Sequence, residues 1–351
     1  MRSLLMSRAR NASFLSRATI PPGKHLRVMA GFDNLTSGGG VPTFSSYLDA
    51  FRGLLRGRYG NGGSGVIWAD VLSPGYFAGA TTGTVSSFLN ANPAWNAAPR
   101  SHSLCGQGTA FSGVTGGFLG LDPAEPWDLC RVYFELASGG SFGIVATGTG
   151  ALGEVVDTAR FPTGQLCAVD LRPASSGETG ITIFSVAGTV TVFGAEFLNE
   201  AGGATLTNCA VSGSQLADHA GLDDGWARAW NQMLRPDVLI FNGGMVEREA
   251  VDVSGYADLV NMLVGRWLAS GSADILLVRP NDTIDWDSTY LSRYDTVLKA
   301  TALGRGCAYV DDRTALGAYA AAAAAGYMAD TIYPSPTGNA KRAAAYFAAF
   351  S

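Results

Sequence analysis

A serine or threonine hydroxyl attacks an ester only when a base beside it takes its proton, and bases are scarce in this chain. It holds three histidines, His25, His102 and His219. His219 lies in ADHAGLDD beside Asp218, Asp223 and Asp224. That composition allows a metal or acid–base site, but capping or solvation near a helix start is the simpler role. Near the C-terminus, Asp330 stands three positions ahead of Tyr333 in DTIYPSPTG. A phenol with a reference pKa of about 10 stays protonated at neutral pH and cannot accept a proton as an imidazole does. The acidic pairs Asp311-Asp312 and Glu247/Glu249 suit exposed strand ends. GNGGSG, residues 60–65, lacks the Lys-Ser/Thr of a phosphate-binding loop and reads as a turn. The five cysteines, Cys105, Cys130, Cys167, Cys209 and Cys307, are odd in number and contain no CxxC pair. They read as small buried apolar side chains, so neither a metal site nor a cofactor is expected.

With 351 residues, 47% apolar and 15% charged, the chain can bury a sizeable core. It contains no apolar run of the roughly 18 residues that a membrane span requires. A net charge of −5 argues against broad nucleic-acid binding. Charge is nevertheless uneven: Arg2, Arg8, Arg10, Arg17, Lys24 and Arg27 all precede the first acid, Asp33. Arg and Ser interrupt every apolar pair there, so the segment is not a convincing secretory signal. It reads as a flexible tail, a docking arm or a targeting segment.

The elements that must carry these side chains follow from periodicity. HLRVMA, from His25, reads as a buried strand, and Phe44, Tyr47, Leu48, Phe51, Leu54 and Leu55 fall at helical spacing after a Gly-rich turn. From Leu222 onward, helices marked by Trp226 and Trp230, by Tyr256 to Trp267, and by Leu291 to Leu298 alternate with the apolar strands DVLIF, DILLV and CAYV. Continuous apolar strands between amphipathic helices predict a parallel sheet covered on both faces. Between these halves the period becomes two: Val132, Phe134 and Leu136 alternate with Arg131, Tyr133 and Glu135. Period two with Gly- and Ser-rich turns predicts an antiparallel sandwich. The expected organisation is a basic arm at 1–24, an α/β domain split between 25–99 and 201–351, and an all-β insertion at 100–200.

The ordered landmarks GFDNLTSG, RYGNGGSG, NCAVSGSQL, VLIFNGGMVE and DTIYPSPTG resemble those of the SGNH (GDSL-type) hydrolases. The likeness is to esterase-like members with a jelly-roll insertion, found in bacteriophage and polysaccharide-modifying proteins. It covers nearly all of 25–351 and implies an α/β three-layer sandwich. It also implies a pocket, and there the chain departs from the pattern. Asn34, after Asp33, stands where the family has its serine nucleophile. Gly213 matches the glycine that faces the oxyanion. Asn242 precedes the expected asparagine position, which falls on Gly244 or Met245, and Asp330 keeps the orienting carboxylate while Tyr333 replaces the histidine. Thr36 and Ser37 are nearby hydroxyls displaced from the nucleophile's place.

The expectation drawn from these losses is a non-catalytic virion protein, a spike or fibre subunit of a phage or phage-like particle. It would dock on other virion proteins through 1–24, form a homo-oligomer and bind cell-surface polysaccharide, with Trp68, Trp95 and Trp127 as candidate sugar platforms. The alternative is an active carbohydrate O-acetylesterase or deacetylase with displaced catalytic residues.

Overall fold

HLRVMAG forms β1 (His25–Gly31), and its apolar side chains are buried on both faces because the strand lies in the middle of a parallel sheet. The structure, a computed structural model, describes residues 22–32, 36, 46–69, 83–89, 95–97, 101–104, 109–112, 118–123, 125–137, 139–147, 154–173, 179–210, 214–245, 247, 252–269, 274–284 and 288–349. The basic arm lies outside these apart from its last three residues. Helix α1 (Tyr47–Tyr59) is capped by Ser46, whose hydroxyl accepts the Leu48 N–H at 3.2 Å. It buries one stripe, Tyr47, Leu48, Phe51, Arg52 and Leu55.

The chain then enters antiparallel structure at β2 (Gly65–Trp68). There follow β3 (Gly83–Leu89), β4 (Trp95–Ala97), β5 (Thr109–Ser112), β6 (Phe118–Pro123), β7 (Leu129–Leu136) and β8 (Ser141–Thr147). The last four are β9 (Glu154–Val155), β10 (Cys167–Leu171), β11 (Gly180–Ala187) and β12 (Thr189–Leu198). One sheet has the order β10-β7-β12-β5-β4, with β2 also paired to β12; the other runs β3-β6-β11-β8-β9. Val132 and Phe134 of the first and Leu121, Ile144 and Ile183 of the second share one apolar core. This is a two-sheet sandwich, and the strand order goes no further towards the jelly roll of the resemblance. Its strands begin at Gly65, well before the expected residue 100, because β2 pairs with β12 as Gly194↔Trp68 through Phe197↔Gly65.

After β13 (Gly203–Cys209) come α2 (Leu216–Ala220), α3 (Asp224–Leu234), β14 (Val238–Asn242), α4 (Val253–Ala269), β15 (Asp274–Arg279) and α5 (Ser288–Arg305). The chain ends with β16 (Ala308–Asp311), α6 (Asp312–Leu316), α7 (Tyr319–Ala324) and α8 (Pro336–Ala348). The parallel sheet has the order β13-β1-β14-β15-β16. One apolar cluster, with Phe51 and Tyr346, covers one face; another, with Trp230, Val260 and Trp267, covers the other. Trp230 also joins the sandwich to the α/β part, lying edge-on to Trp68 at 5.4 Å, Tyr133 at 5.5 Å and Phe193 at 5.3 Å. Among the described residues no helix is long and apolar enough to cross a membrane.

Candidate active site

In an open parallel sheet, ligands bind where the strands end and the loops diverge. At that edge β1 runs into Phe32, a non-glycine residue at φ 83. Left-handed backbone at a bulky residue costs energy and clusters at functional turns. Gly31 is glycine for a related reason: a Cβ there would lie 2.9 Å from Cys209 Cβ on the neighbouring strand. The Phe32 ring meets His219 edge-on at 4.9 Å and Phe241 at 4.9 Å.

His219 is the one described histidine bonded to a hydroxyl. Its Nε2 lies 3.1 Å from Ser214 Oγ, and the two residues are 7% and 3% exposed. When Nδ1 carries the ring proton, Nε2 accepts from the serine, which is the relation of a nucleophile to its base. Two anchors hold the pair. Glu247, 1% exposed, accepts the Leu216 N–H at the start of α2 at 2.6 Å and the Gly244 N–H at 2.9 Å, so it ties the loop after β13 to the loop after β14. At the other end of α2, Arg266 donates to the carbonyls of Ala220 at 3.0 Å and His219 at 3.5 Å. A cavity of about 20 Å³ lined by His219, Phe32, Leu222, Asn231 and Trp267 among others is too small for a sugar. The other histidines are elsewhere: His25 bonds the Asn199 carbonyl at 3.0 Å, and His102 bonds Glu135 at 3.0 Å while stacking on Trp226 at 4.3 Å. Burial pushes the thiols of Cys130, Cys167 and Cys307 up, the last to about 11, so none of these is a thiolate at neutral pH.

The residues expected to form the pocket are placed as follows. Asp33, Asn34 and Gly213 lie outside the described residues, as does Ser37. Asn242 is buried at the end of β14, and its amide donates to Thr36 Oγ1 at 2.8 Å and Tyr47 Oη at 2.9 Å. Both N–H groups are thus committed to fixing the segment before α1, and buried Thr36 is part of that brace. Gly244, at φ 108, spends its N–H on Glu247 and has none for an oxyanion. Asp330 is exposed and closes its own turn, accepting from the amides of Ile332 at 2.7 Å and Tyr333 at 2.6 Å. Tyr333 packs with Ile332 against Met245 and Leu291, so the structure does bring the C-terminal turn to the loop after β14.

The expected sugar platforms need correction. Trp68 is buried and donates to the Asn208 carbonyl at 2.7 Å, and Trp127 is buried against Phe197 at 5.5 Å; neither ring can stack on a ligand. Trp95 opens β4, and its side chain lies outside the described residues. Among the described residues no group of three or more His, Cys, Asp or Glu side chains could hold a metal.

Five parallel strands flanked by helices, with the candidate pair at the strand ends, define an SGNH-hydrolase-like fold. In particular, the chain matches a solved structure described as a peptidoglycan O-acetylesterase in action. The TM-score is 0.71 over 93% of this chain and 90% of that one, at 17% identity. A lipase/acylhydrolase from Enterococcus faecalis aligns with 42% of this chain and 75% of its own at 13% identity and a TM-score of 0.35. An active-site mutant of a family two carbohydrate esterase from Clostridium thermocellum aligns with 81% and 97% at 11% identity and a TM-score of 0.33. No protein-family model and no curated relative matches the chain.

The expectation of a non-catalytic virion protein is corrected by these findings. The fold that the chain shares almost end to end is that of an esterase, and a hydroxyl does stand within bonding reach of an imidazole. Ser214 and His219 lie between the positions at which the family pattern places its catalytic groups. The signal in the sequence was a serine directly after Gly213, followed five positions later by a histidine.

Proposed function

We propose that the chain is a glycan O-acyl esterase in which Ser214 is the nucleophile and His219 the general base. The observation that carries this reading is the 3.1 Å contact between Ser214 Oγ and His219 Nε2 at the ligand-binding edge of the sheet. In the first half-reaction the serine proton passes to Nε2 as Oγ attacks the acyl carbonyl. The sugar oxygen then leaves, taking that proton, and an acyl-serine remains. In the second half-reaction His219 takes a proton from water, the resulting hydroxide attacks the acyl-serine, and the acid departs as Oγ recovers its proton. The choice of an acetylated glycan as substrate is supported by the shared fold of the peptidoglycan O-acetylesterase structure.

The test is hydrolysis of 4-nitrophenyl acetate and of O-acetylated peptidoglycan by the purified protein. Ser214→Ala and His219→Ala should each lower the rate about a thousandfold or more while leaving the fold intact. Equal rates for wild type and both variants, or no turnover of either ester, would overturn the assignment.

A further inference from the structure

At the opposite edge of the parallel sheet, where β1 and β14 begin, a groove of about 800 Å³ opens between α3 and the sandwich. Its chemistry is unlike the rest of a chain of net charge −5, because Arg27, Arg131, Arg160 and Arg235 all line it. Asp170 lines it too, and among the described residues two of the four cations are paired while two are not. Arg131 is forked onto Asp170 at 2.6 and 2.8 Å. Arg27 Nε is 3.4 Å from Glu196 but has no hydrogen bond among the described residues. Arg160 and Arg235 are exposed, and neither has a carboxylate partner among the described residues. Arg235 is set at φ 45 directly after α3, with Nε on the Gln232 carbonyl at 3.1 Å. The Arg160 guanidinium lies 4.9 Å from the centre of the Phe161 ring. That ring is half-buried and fixed edge-on against Phe134 at 5.1 Å.

We infer that this groove binds a carboxylate-bearing glycan segment, remote from the catalytic pair. A guanidinium fork matches a planar carboxylate in two parallel hydrogen bonds. Phe161 offers an apolar face to the C–H side of a sugar ring. The volume suits a few sugar units, and four cations are far fewer than the basic stripe by which proteins follow a nucleic-acid backbone. The assignment of the occupant as a glycan rests on the proposed esterase reading. Its function would be to hold an acidic polymer while another part of the same chain reaches Ser214.

The experiment measures binding of oligogalacturonic acid and of its methyl ester to the full chain by calorimetry at two salt concentrations. The acid should bind at least tenfold tighter than the ester, and the difference should shrink as salt rises. Arg160→Ala with Arg235→Ala should weaken acid binding tenfold or more and leave 4-nitrophenyl acetate hydrolysis unchanged, and Phe161→Ala should weaken acid and ester alike. Ser214→Ala should bind the acid as wild type does, so failure of the esterase reading leaves this test standing. Both side-chain cations are exposed, and circular dichroism checks that the double variant folds. Equal binding of acid and ester, no binding of either, or tighter binding of single-stranded DNA than of the acid would overturn the inference.

Discussion

Glu247 Oε1 accepts the backbone N–H of Leu216 at 2.6 Å across 31 positions of sequence, and its second oxygen holds Gly244. One buried carboxylate thus sets where α2, and His219 on it, stands relative to the end of β14. Glu247→Gln keeps the shape but turns an N–H toward one of the two amides. It should cost about 1–3 kcal/mol in urea denaturation. Esterase kcat should fall with KM little changed, because the pair is displaced and no direct substrate contact is removed. A kcat equal to wild type would show that α2 is positioned by other contacts.

Thr36→Val is expected to separate structure from catalysis. The hydroxyl receives the Asn242 amide, so its loss leaves a buried N–H unpaired and should destabilise the fold by about 1–3 kcal/mol. Ester hydrolysis should survive within about tenfold, whereas a nucleophile's removal would cost far more. Loss comparable to that of Ser214→Ala would return Thr36 to the candidates.

Asp274 makes stability depend on pH. Burial, aided by the charge of Asp237, raises its carboxyl from 3.8 to about 6. The folded state therefore binds this proton more tightly than the unfolded chain. The group is neutral and without penalty below about pH 4, and its contribution worsens as pH rises until the cost is complete above about 6. Asp274→Asn should raise stability by about 1 kcal/mol at pH 7, solvent screening taking it below the full value of the shift, and change nothing at pH 4. Thermal melts at the two pH values would decide it.

Arg342 and Asp312 form a fully buried ion pair, Nε to Oδ2 at 2.7 Å, which Tyr346 joins from its hydroxyl at 3.0 Å. The guanidinium also lies 4.9 Å from the centre of the Tyr47 ring, the residue that Asn242 braces. Asp312→Asn alone should cost about 3–5 kcal/mol by leaving the cation uncompensated, and Asp312→Leu with Arg342→Met should recover much of that loss. Additive losses in the double variant would mean that the pair is not a unit.

The architecture was readable where burial is uniform. DVLIF and DILLV are apolar throughout, and they became β14 and β15 because a central parallel strand has no wet face. Strand β13 was harder, since Thr205, Thr207 and Asn208 suggest a solvated face yet are buried against neighbouring segments, as in the 3.1 Å bond from Val66 N–H to the Thr207 hydroxyl. The site was less readable still. A family pattern fixes positions along the chain, but chemistry depends on which atoms a turn turns inward: Asp330 keeps its place and spends its carboxylate on its own loop, while Ser214 and His219 meet only because α2 starts between them. Trp68 and Trp127 stood as candidate sugar platforms because composition carries no information on depth.

The ring of Trp230, wedged among Trp68, Tyr133 and Phe193, makes the inserted strands inseparable from the α/β half. Cutting them out as a cassette would strip one side of an indole that the parallel sheet needs covered, so the two halves should melt in one cooperative step and evolve as one piece.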